Sequence, residues 1–404
     1  IRSFICHRKE KESSMSKPTD VDQLLDRFIA HGLPGCGLKV IQNGEILYEG
    51  YRGLSNRESG EPVTRKSIFR PASMSKIPLY TTMMMLYERG AFLMTDPISN
   101  WLPEWQHMKK FIHDANGYIH IVDAQRSITV RDVCSMKCGL PYCNSSEETN
   151  NAVLTSMQNC MKPLWEKGHY TNREHVRAMS GAVLACEPGK RWIYGFSSEL
   201  ACALIEAICD RPIDEVFQEL LFDPLEMNDT RSRFEKDHQS RMVRLYKRSS
   251  DGLEPFDNSF FDDKHLPGIE HEQGWARLYS TVEDFSHLIQ MLAEGGRYKN
   301  QKFLSPTTID MMRTNGLSKE QLKDYTNTYE RGYGYGYGVR TLIDKASSDH
   351  NGAIGSFGWT GGFGTWCEAD PADKVSIVYM HNLVPDEELY YHPRIRCISY
   401  GLIH

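Results

Sequence analysis

The sequence predicts an α/β (α+β) fold, in which an antiparallel sheet built from both chain ends carries flanking helices and a large inserted helical region. Near the start, Asn43-Gly44 joins two strand-like runs, 36–41 and 45–51, and this dipeptide is a strong hairpin signal. The tail is also strand-like, in three segments separated by turn residues: 333–340, 361–368 and 374–380. The residues between the two ends show helical spacing, so one sheet made from both is the simplest assembly.

Apolar spacing and capping residues place the helices. A first helix covers 20–31, with Thr19 or Asp20 as its cap and Gly32 at its end. Further helical segments are predicted in chain order at 128–133, 198–209, 216–221, 282–294 and 389–402. The stretch 92–105 is predicted as an irregular link, and 141–165 is too polar to assign.

These elements predict three regions. Residues 1–18 form a disordered leader, residues 19–72 and 320–404 form the sheet-containing α/β region, and residues 73–319 form a mainly helical region. The leader is polar and of mixed charge, without the apolar core of a secretory signal.

Composition excludes several classes of function. The 404 residues are 25% charged and 40% hydrophobic, with a formal net charge of −6. This fraction of hydrophobic residues is enough to form a buried core. The negative net charge argues against nucleic acid as a partner. No apolar run approaches the roughly 20 residues that span a membrane. The 11 cysteines are odd in number and scattered, which favours reduced thiols and a cytoplasmic location.

No metal or cofactor is predicted. Cys134, Cys138 and Cys143 lie near one another in sequence without a second pair at zinc spacing, and His271-Glu272 lacks the second histidine of a metalloprotease helix. The glycine-rich run 332–338 misplaces the third glycine of a dinucleotide fingerprint and predicts a strand. His120, in a strand-like run, is predicted to be structural.

The candidate nucleophile is Ser73, at the entrance of a helix that runs from Lys76 toward Gly90. Apolar or aromatic residues follow at helical spacing: Ile77, Tyr80, Met84 and Tyr87. Lys76 then lies one turn from Ser73, where an amine can help to remove the hydroxyl proton. The alternative is a helix cap followed by an exposed lysine. A second copy of Ser-x-x-Lys, 14–17, lies in the polar leader without a helix to hold it.

Four segments, in this order, carry a family resemblance: 69–76, Glu187-Pro188-Gly189-x-x-Trp192-x-Tyr194, 223–230 and 358–362. Together they resemble the serine β-lactamase-like family, which includes class C β-lactamases, D-alanyl-D-alanine peptidases and family VIII-type esterases and transesterases. The resemblance covers about residues 20–400. It implies a β-lactamase/transpeptidase-like fold with substrate between the sheet and the helical region.

The resemblance also implies roles for individual residues. Ser73 is the acylated nucleophile, and Lys76 and Tyr194 move its proton. The backbone amides of Ser73 and Gly362 form the oxyanion hole. The remaining implied positions bind substrate: Phe196, Trp359, Thr360 and Gly361.

Two departures from the family pattern bear on substrate. Trp359 stands where the family strand often has lysine, and Phe196 stands where the tyrosine motif usually has asparagine. Both replace polar recognition by apolar surface, which disfavours carboxylate-bearing substrates. Residues 134–140 also differ from the family's usual His-Thr-Ser-Gly-Leu, which we interpret as a change of core or loop.

The sequence therefore predicts a serine hydrolase that acts through an acyl-enzyme on a small-molecule ester or amide, as an esterase or transesterase does. Two alternatives remain open. One is a β-lactamase or D-alanyl-D-alanine carboxypeptidase, and the other is a catalytically inactive binding protein with the same fold.

Overall fold

A computed structural model describes residues 17–142, 148–167, 170–233, 236–257, 278–327 and 329–404. Its sixteen strands are β1 (Gly35–Gln42), β2 (Glu45–Asn56), β3 (Glu61–Pro62), β4 (Lys109–His113), β5 (Ile119–Asp123), β6 (Val183–Leu184), β7 (Tyr246–Ser249), β8 (Gly252–Pro255), β9 (Arg297–Tyr298), β10 (Gln301–Lys302), β11 (Tyr333–Tyr335), β12 (Arg340–Leu342), β13 (Phe357–Gly361), β14 (Thr365–Asp370), β15 (Val375–His381) and β16 (Leu383–Val384). These counts and bounds concern the described ranges alone.

Ten of the thirteen α-helices in the described ranges lie between β3 and β11. In chain order they are α1 (Pro18–Ala30), α2 (Lys76–Glu88), α3 (Val130–Cys134), α4 (Glu148–Lys167), α5 (Asn172–Met179), α6 (Ser197–Cys209), α7 (Ile213–Phe217), α8 (Lys236–Arg241), α9 (Val282–Ala293), α10 (Pro306–Arg313), α11 (Lys319–Thr326), α12 (Lys345–Ser348) and α13 (Glu388–Tyr400). A π-helical turn, Gln218–Phe222, continues α7.

The main sheet has eight strands in the order β11-β12-β13-β14-β15-β1-β2-β3. Its central pairing joins the two ends of the chain, because β1 runs antiparallel to β15 with Cys36 opposite His381. The predicted antiparallel sheet from both chain ends, with an inserted helical region, is therefore confirmed. The division into regions at 18/19, 72/73 and 319/320 stays a prediction.

The sheet separates two apolar cores. Side chains alternate between its faces along each strand, so Ile377 and Tyr379 of β15 pack toward α1 and α13, while Val378 and Met380 face the helical region. The second face carries α2 and α9, and it is the face on which the candidate catalytic residues lie.

The helix after Lys76 differs from the one-sided pattern that its sequence predicts. From Lys76 to Leu86 every residue of α2 is buried, because the helix lies inside the larger core and not on its surface. Threonine and methionine at 81–85 complete an apolar surface on all sides, as expected of a central helix.

The predicted strand over 361–368 is wrong in its extent. The chain turns at 362–364, between β13 and β14, where Gly364 adopts a φ of +99° and its N–H donates to the Gly361 carbonyl at 2.8 Å. The strand-like run 333–340 is likewise divided, by a turn at 336–338, into β11 and β12. Glycine permits both turns. The β-forming residues on either side of each turn made each run resemble one continuous strand in the sequence.

Other sequence predictions concern helices and links. The observed bounds of α1, α6, α9 and α13 lie within a few residues of those predicted, and 92–105 forms two short 3-10 turns. The unassigned stretch contains α4. Nearly all of the leader lies outside the described residues, although α1 already begins at Pro18. No helix in the described ranges has both the length and the apolar character that crossing a membrane requires.

The turn that leads into α2 packs directly against the β13–β14 hairpin. The Thr365 hydroxyl donates to the Pro71 carbonyl at 2.7 Å, and a Cβ built on Gly361 would lie 2.0 Å from that same oxygen. The absence of a side chain at Gly361 is therefore what allows the turn and the strand to meet.

We predict that Gly361→Ala lowers the free energy of unfolding by about 1–3 kcal/mol, since the new methyl group must displace backbone. Chemical denaturation would measure this change. Gly362→Ala is the matched control, because a Cβ there would meet no atom within 4 Å. Equal stability of the two variants would contradict the predicted close contact.

Candidate active site

Ser73 and Lys76 lie in one continuous helical segment. A 3-10 turn, Ala72–Ser75, leads directly into α2, and the Lys76 amine donates to the Ser73 hydroxyl at 3.3 Å. Lys76 is 0% exposed, whereas Ser73 is half-buried, so the amine is shielded from water and part of Ser73 is accessible. The predicted spacing of one turn thus brings the two groups within hydrogen-bond distance.

The residue before the nucleophile has an unusual backbone. Ala72 has a φ of +49°, in the left-handed region that non-glycine residues rarely adopt. Such conformations cost on the order of 1–3 kcal/mol and persist where the surrounding structure enforces them. Here the packing of Pro71 against the hairpin, on the N-terminal side of Ala72, supplies that enforcement.

Tyr194 reaches the same cleft from the segment that enters α6. This segment is fixed by a bridge between Pro141 and Gly195 and by the Ile193 N–H, which donates to the Met136 carbonyl at 2.9 Å. The Lys76 amine lies 4.8 Å from the centre of the Tyr194 ring. Ser73, Lys76 and Tyr194, which are far apart in sequence, therefore converge at one place.

Trp359 of β13 binds the phenol of Tyr194. Its indole N–H donates to the Tyr194 hydroxyl at 3.2 Å, and the two ring centroids are 5.4 Å apart. Trp359 is 1% exposed, so it acts on Tyr194 from within the core. This hydrogen bond fixes the orientation of the Tyr194 phenol, the group to which the resemblance assigns proton transfer.

Gly362, the candidate oxyanion donor, directly follows the last residue of β13. Gly362 is exposed and free of neighbours on its Cα side, as a peptide that receives substrate should be. Phe196 caps α6 with its ring half-buried, 4.7 Å from that of Tyr142. The roles of Gly361, Gly362 and Phe196 toward substrate stay predictions.

Thr360 has its side chain on the other face of the sheet. Its hydroxyl lies 2.7 Å from the Glu388 carboxylate of α13, as alternation along β13 requires when Trp359 faces the helical region. A contribution of Thr360 to substrate binding, which also stays a prediction, would then come from its backbone.

Three residues of this cluster were not predicted from the sequence: Tyr142, Glu199 and Tyr329. The Tyr142 ring lies 5.3 Å from the Lys76 amine, and its hydroxyl donates to the Glu199 carboxylate at 3.2 Å. Tyr329 packs 5.3 Å from Trp359 and 5.7 Å from Tyr194. Burial raises the pKa of both the Tyr142 and Tyr329 phenols, and Glu199 raises that of Tyr142 further.

The other sequence candidates lie away from this cluster. His120 pairs with Asp114 at 2.9 Å on the surface hairpin, in line with a structural role. Within the described ranges, no group of three or more histidine, cysteine, aspartate or glutamate side chains is arranged to hold a metal ion. Ser14, Cys143 and His271-Glu272 lie outside the described residues.

Comparison with known proteins decides the family. The family model described as Beta-lactamase matches residues 21–397. The chain belongs to the beta-lactamase family. This confirms the resemblance seen in the sequence and makes the protein a member of a family of serine hydrolases.

The chain is similar to an esterase and, among solved structures, to a simvastatin synthase and a hydrolase with acyltransferase activity. Esterase EstB of Burkholderia gladioli is 24% identical over 366 residues, which cover 87% of this chain and 86% of EstB. Among solved structures, simvastatin synthase (LovD) from Aspergillus terreus has a TM-score of 0.78 at 18% identity, covering 96% and 98% of the two chains. EstCE1, a hydrolase with promiscuous acyltransferase activity, has a TM-score of 0.77 at 20% identity, covering 95% and 98%.

We predict that Trp359→Phe lowers kcat about 10-fold while the fold is kept. This is less than the roughly 100- to 1,000-fold effect of losing an oxyanion donor, because the indole N–H acts on Tyr194 and not on the substrate. Phenylalanine keeps an aromatic ring and removes the N–H that binds Tyr194, and the control variant below has the same loss of ring volume. Initial rates on an activated ester would measure the effect. Trp366→Phe is the control, since Trp366 is equally buried but packs against His392 on the opposite face. Equal rates for both variants would contradict the role of the indole N–H.

Proposed function

We propose that the protein is an esterase or transesterase that cleaves a small-molecule ester or amide through an acyl-enzyme at Ser73. The observation that carries this proposal is the convergence of the Ser73 hydroxyl, the Lys76 amine and the Tyr194 ring in one cleft, with a 3.3 Å hydrogen bond between the first two. A hydroxyl beside a buried amine and a phenol is the arrangement that nucleophilic catalysis by serine needs.

The reaction follows from these positions. The Ser73 oxygen attacks the substrate carbonyl carbon while its proton passes to the phenolate of Tyr194, in the proton network shared with Lys76. The carbonyl oxygen, now negative, accepts hydrogen bonds from the N–H groups of Ser73 and Gly362. The leaving alcohol or amine takes the proton as the tetrahedral intermediate collapses to an ester of Ser73.

A second half-reaction frees the enzyme. Water or another alcohol attacks the acyl-enzyme, again losing its proton to the Tyr194 phenolate. Collapse of the second intermediate releases the acid or the new ester and returns the proton to Ser73. Water as acceptor gives an esterase, and an alcohol gives a transesterase; the same residues serve both.

The character of the cleft supports an apolar acyl group. Trp359 occupies the position of the family's lysine, and half-buried aromatic rings line the neighbourhood of Ser73: Tyr142, Tyr194, Phe196 and Tyr329. Such a site gives apolar contact area and no cation for a substrate carboxylate at that position. The similarity to an esterase and to a hydrolase with promiscuous acyltransferase activity supports cleavage and transfer of an acyl group.

The cysteines support a reducing compartment, and we propose the cytoplasm. None of the nine cysteines within the described ranges forms a disulfide, and five of them are buried. Burial raises the pKa of the Cys36 thiol to about 12, so that it stays protonated and inert.

We predict that a fluorophosphonate labels Ser73 and that Ser73→Ala abolishes both labelling and turnover while the protein stays folded. Peptide mass mapping would locate the adduct. Ser75→Ala is the matched control: Ser75 lies two residues away, but it is fully buried and accepts a hydrogen bond from the Leu278 N–H. No adduct on Ser73, or equal labelling of Ser73→Ala, would favour the inactive binding protein instead.

We also predict that kcat/KM for a short-chain nitrophenyl ester exceeds that for a chromogenic cephalosporin by at least roughly 100-fold. A site without the polar partners of a carboxylate discriminates against substrates that need them by about this factor or more. Spectrophotometric rates on the two substrates would give the ratio. Faster turnover of the cephalosporin would reverse the assignment in favour of a β-lactamase or carboxypeptidase.

A further inference from the structure

A buried glutamate lies behind the candidate catalytic amine. Glu199, in the first turn of α6, is 0% exposed, and one of its carboxylate oxygens accepts the Tyr142 phenol at 3.2 Å. The Tyr142 ring in turn lies 5.3 Å from the Lys76 amine, which is also 4.8 Å from the Tyr194 ring. The two rings meet edge to face at 5.4 Å. The carboxylate, the phenol and the amine thus form a chain that leads from α6 into the cleft.

We propose that Glu199 is a positioning residue for the proton-transfer site: its carboxylate fixes the Tyr142 ring against Lys76 and favours the protonated form of the groups around it. This inference rests on the function proposed for Ser73. It adds a residue to that site which lies outside the cleft and does not contact the substrate.

Glu199 lies where two neighbouring groups can interact with a negative charge. It is the third residue of α6, where the N–H groups of the first helical turn point toward negative charge. The Tyr142 hydroxyl donates to it, and such a donor stabilises a carboxylate. Burial and the neighbouring carboxylate both raise the pKa of Tyr142, so the phenol keeps the proton that it donates.

Several other groups lie around the Lys76 amine. From α2, Tyr80 lies one turn beyond Lys76, with its hydroxyl 3.2 Å from that of Ser198 on α6. Tyr194 and Ser73 contact the amine directly, and Trp359 approaches through Tyr194. These neighbours are neutral in their ordinary protonation states. Among these described neighbours of the amine, Glu199 is the one whose ordinary protonation state is negatively charged.

The geometry predicts the sign of a pH effect. Loss of a negative charge makes it easier for every nearby group to lose a proton, whether that group is an amine or a phenol. If rate depends on a deprotonated group in this cluster, Glu199→Gln moves the acidic limb of the pH profile down by about one pH unit. Glutamine has nearly the same shape and can still accept the phenol hydrogen bond, so the change is one of charge.

The experiment measures the second-order rate of fluorophosphonate labelling at Ser73 against pH for the full chain and its variants. Glu206→Gln is the matched control, because Glu206 lies two turns further along α6, is half-buried and accepts hydrogen bonds from Asn172 and the Ile213 N–H. We expect the acidic limb to move in Glu199→Gln and to stay in place in Glu206→Gln, with thermal melting recorded for both.

The outcomes separate this inference from the proposed function. Labelling of Ser73 in Glu199→Gln with an unmoved limb overturns the role of Glu199 and leaves Ser73 as nucleophile. Absence of any Ser73 adduct in the unaltered protein overturns both. If Glu199→Gln does not fold, Tyr142→Phe replaces it, since it keeps the ring and removes only the hydroxyl that binds Glu199. Unchanged rate and limb in that variant overturn the inference.

Discussion

The structure of the cleft depends on the contact between the turn at Pro71 and the hairpin of β13 and β14. One side-chain hydrogen bond, from Thr365 to the Pro71 carbonyl, and one missing side chain, at Gly361, bring the turn onto the sheet. That contact lies at the start of the helical segment that carries Ser73, next to Ala72 with its left-handed φ of +49°, and the exposed Gly362 follows β13 in the same hairpin. One contact between the turn before α2 and the sheet therefore supports both segments that carry the candidate oxyanion donors, Ser73 and Gly362.

A second requirement arises because α2 is buried along its whole first turn. An amine at Lys76, removed from water, needs partners, and the chain provides the Ser73 oxygen and the faces of two tyrosine rings. Aromatic residues from distant segments, Trp359 and Tyr329 among them, then close the space around those rings. The aromatic rings that surround the Lys76 amine also give the candidate site an apolar lining. The burial of this lysine and the proposed preference for an apolar substrate therefore have the same structural cause.

The structural elements that local sequence patterns determine could be predicted from the sequence. The Asn43-Gly44 hairpin, the capped helix at Thr281 and the entry of α2 follow from turn chemistry, capping and apolar spacing. The turn at 362–364 was missed because β-forming residues flank it. Glu199 and Tyr142 gave little local signal: a glutamate at the start of a helix is ordinary on a surface, and only the tertiary fold buries it beside a tyrosine 57 residues away. Tyr329 gave none, since its contacts with Trp359 and Tyr194 are entirely long-range.

The central pairing of β1 with β15 has a consequence for co-translational folding. Ser73 and Lys76 leave the ribosome well before β13, which carries Trp359, and before β15, which pairs with β1. Sheets with such distant pairings form late, after a large loop has been closed. A nascent chain therefore carries Ser73 and Lys76 before the rest of the candidate site exists, and the site is assembled only after β15 has been synthesised.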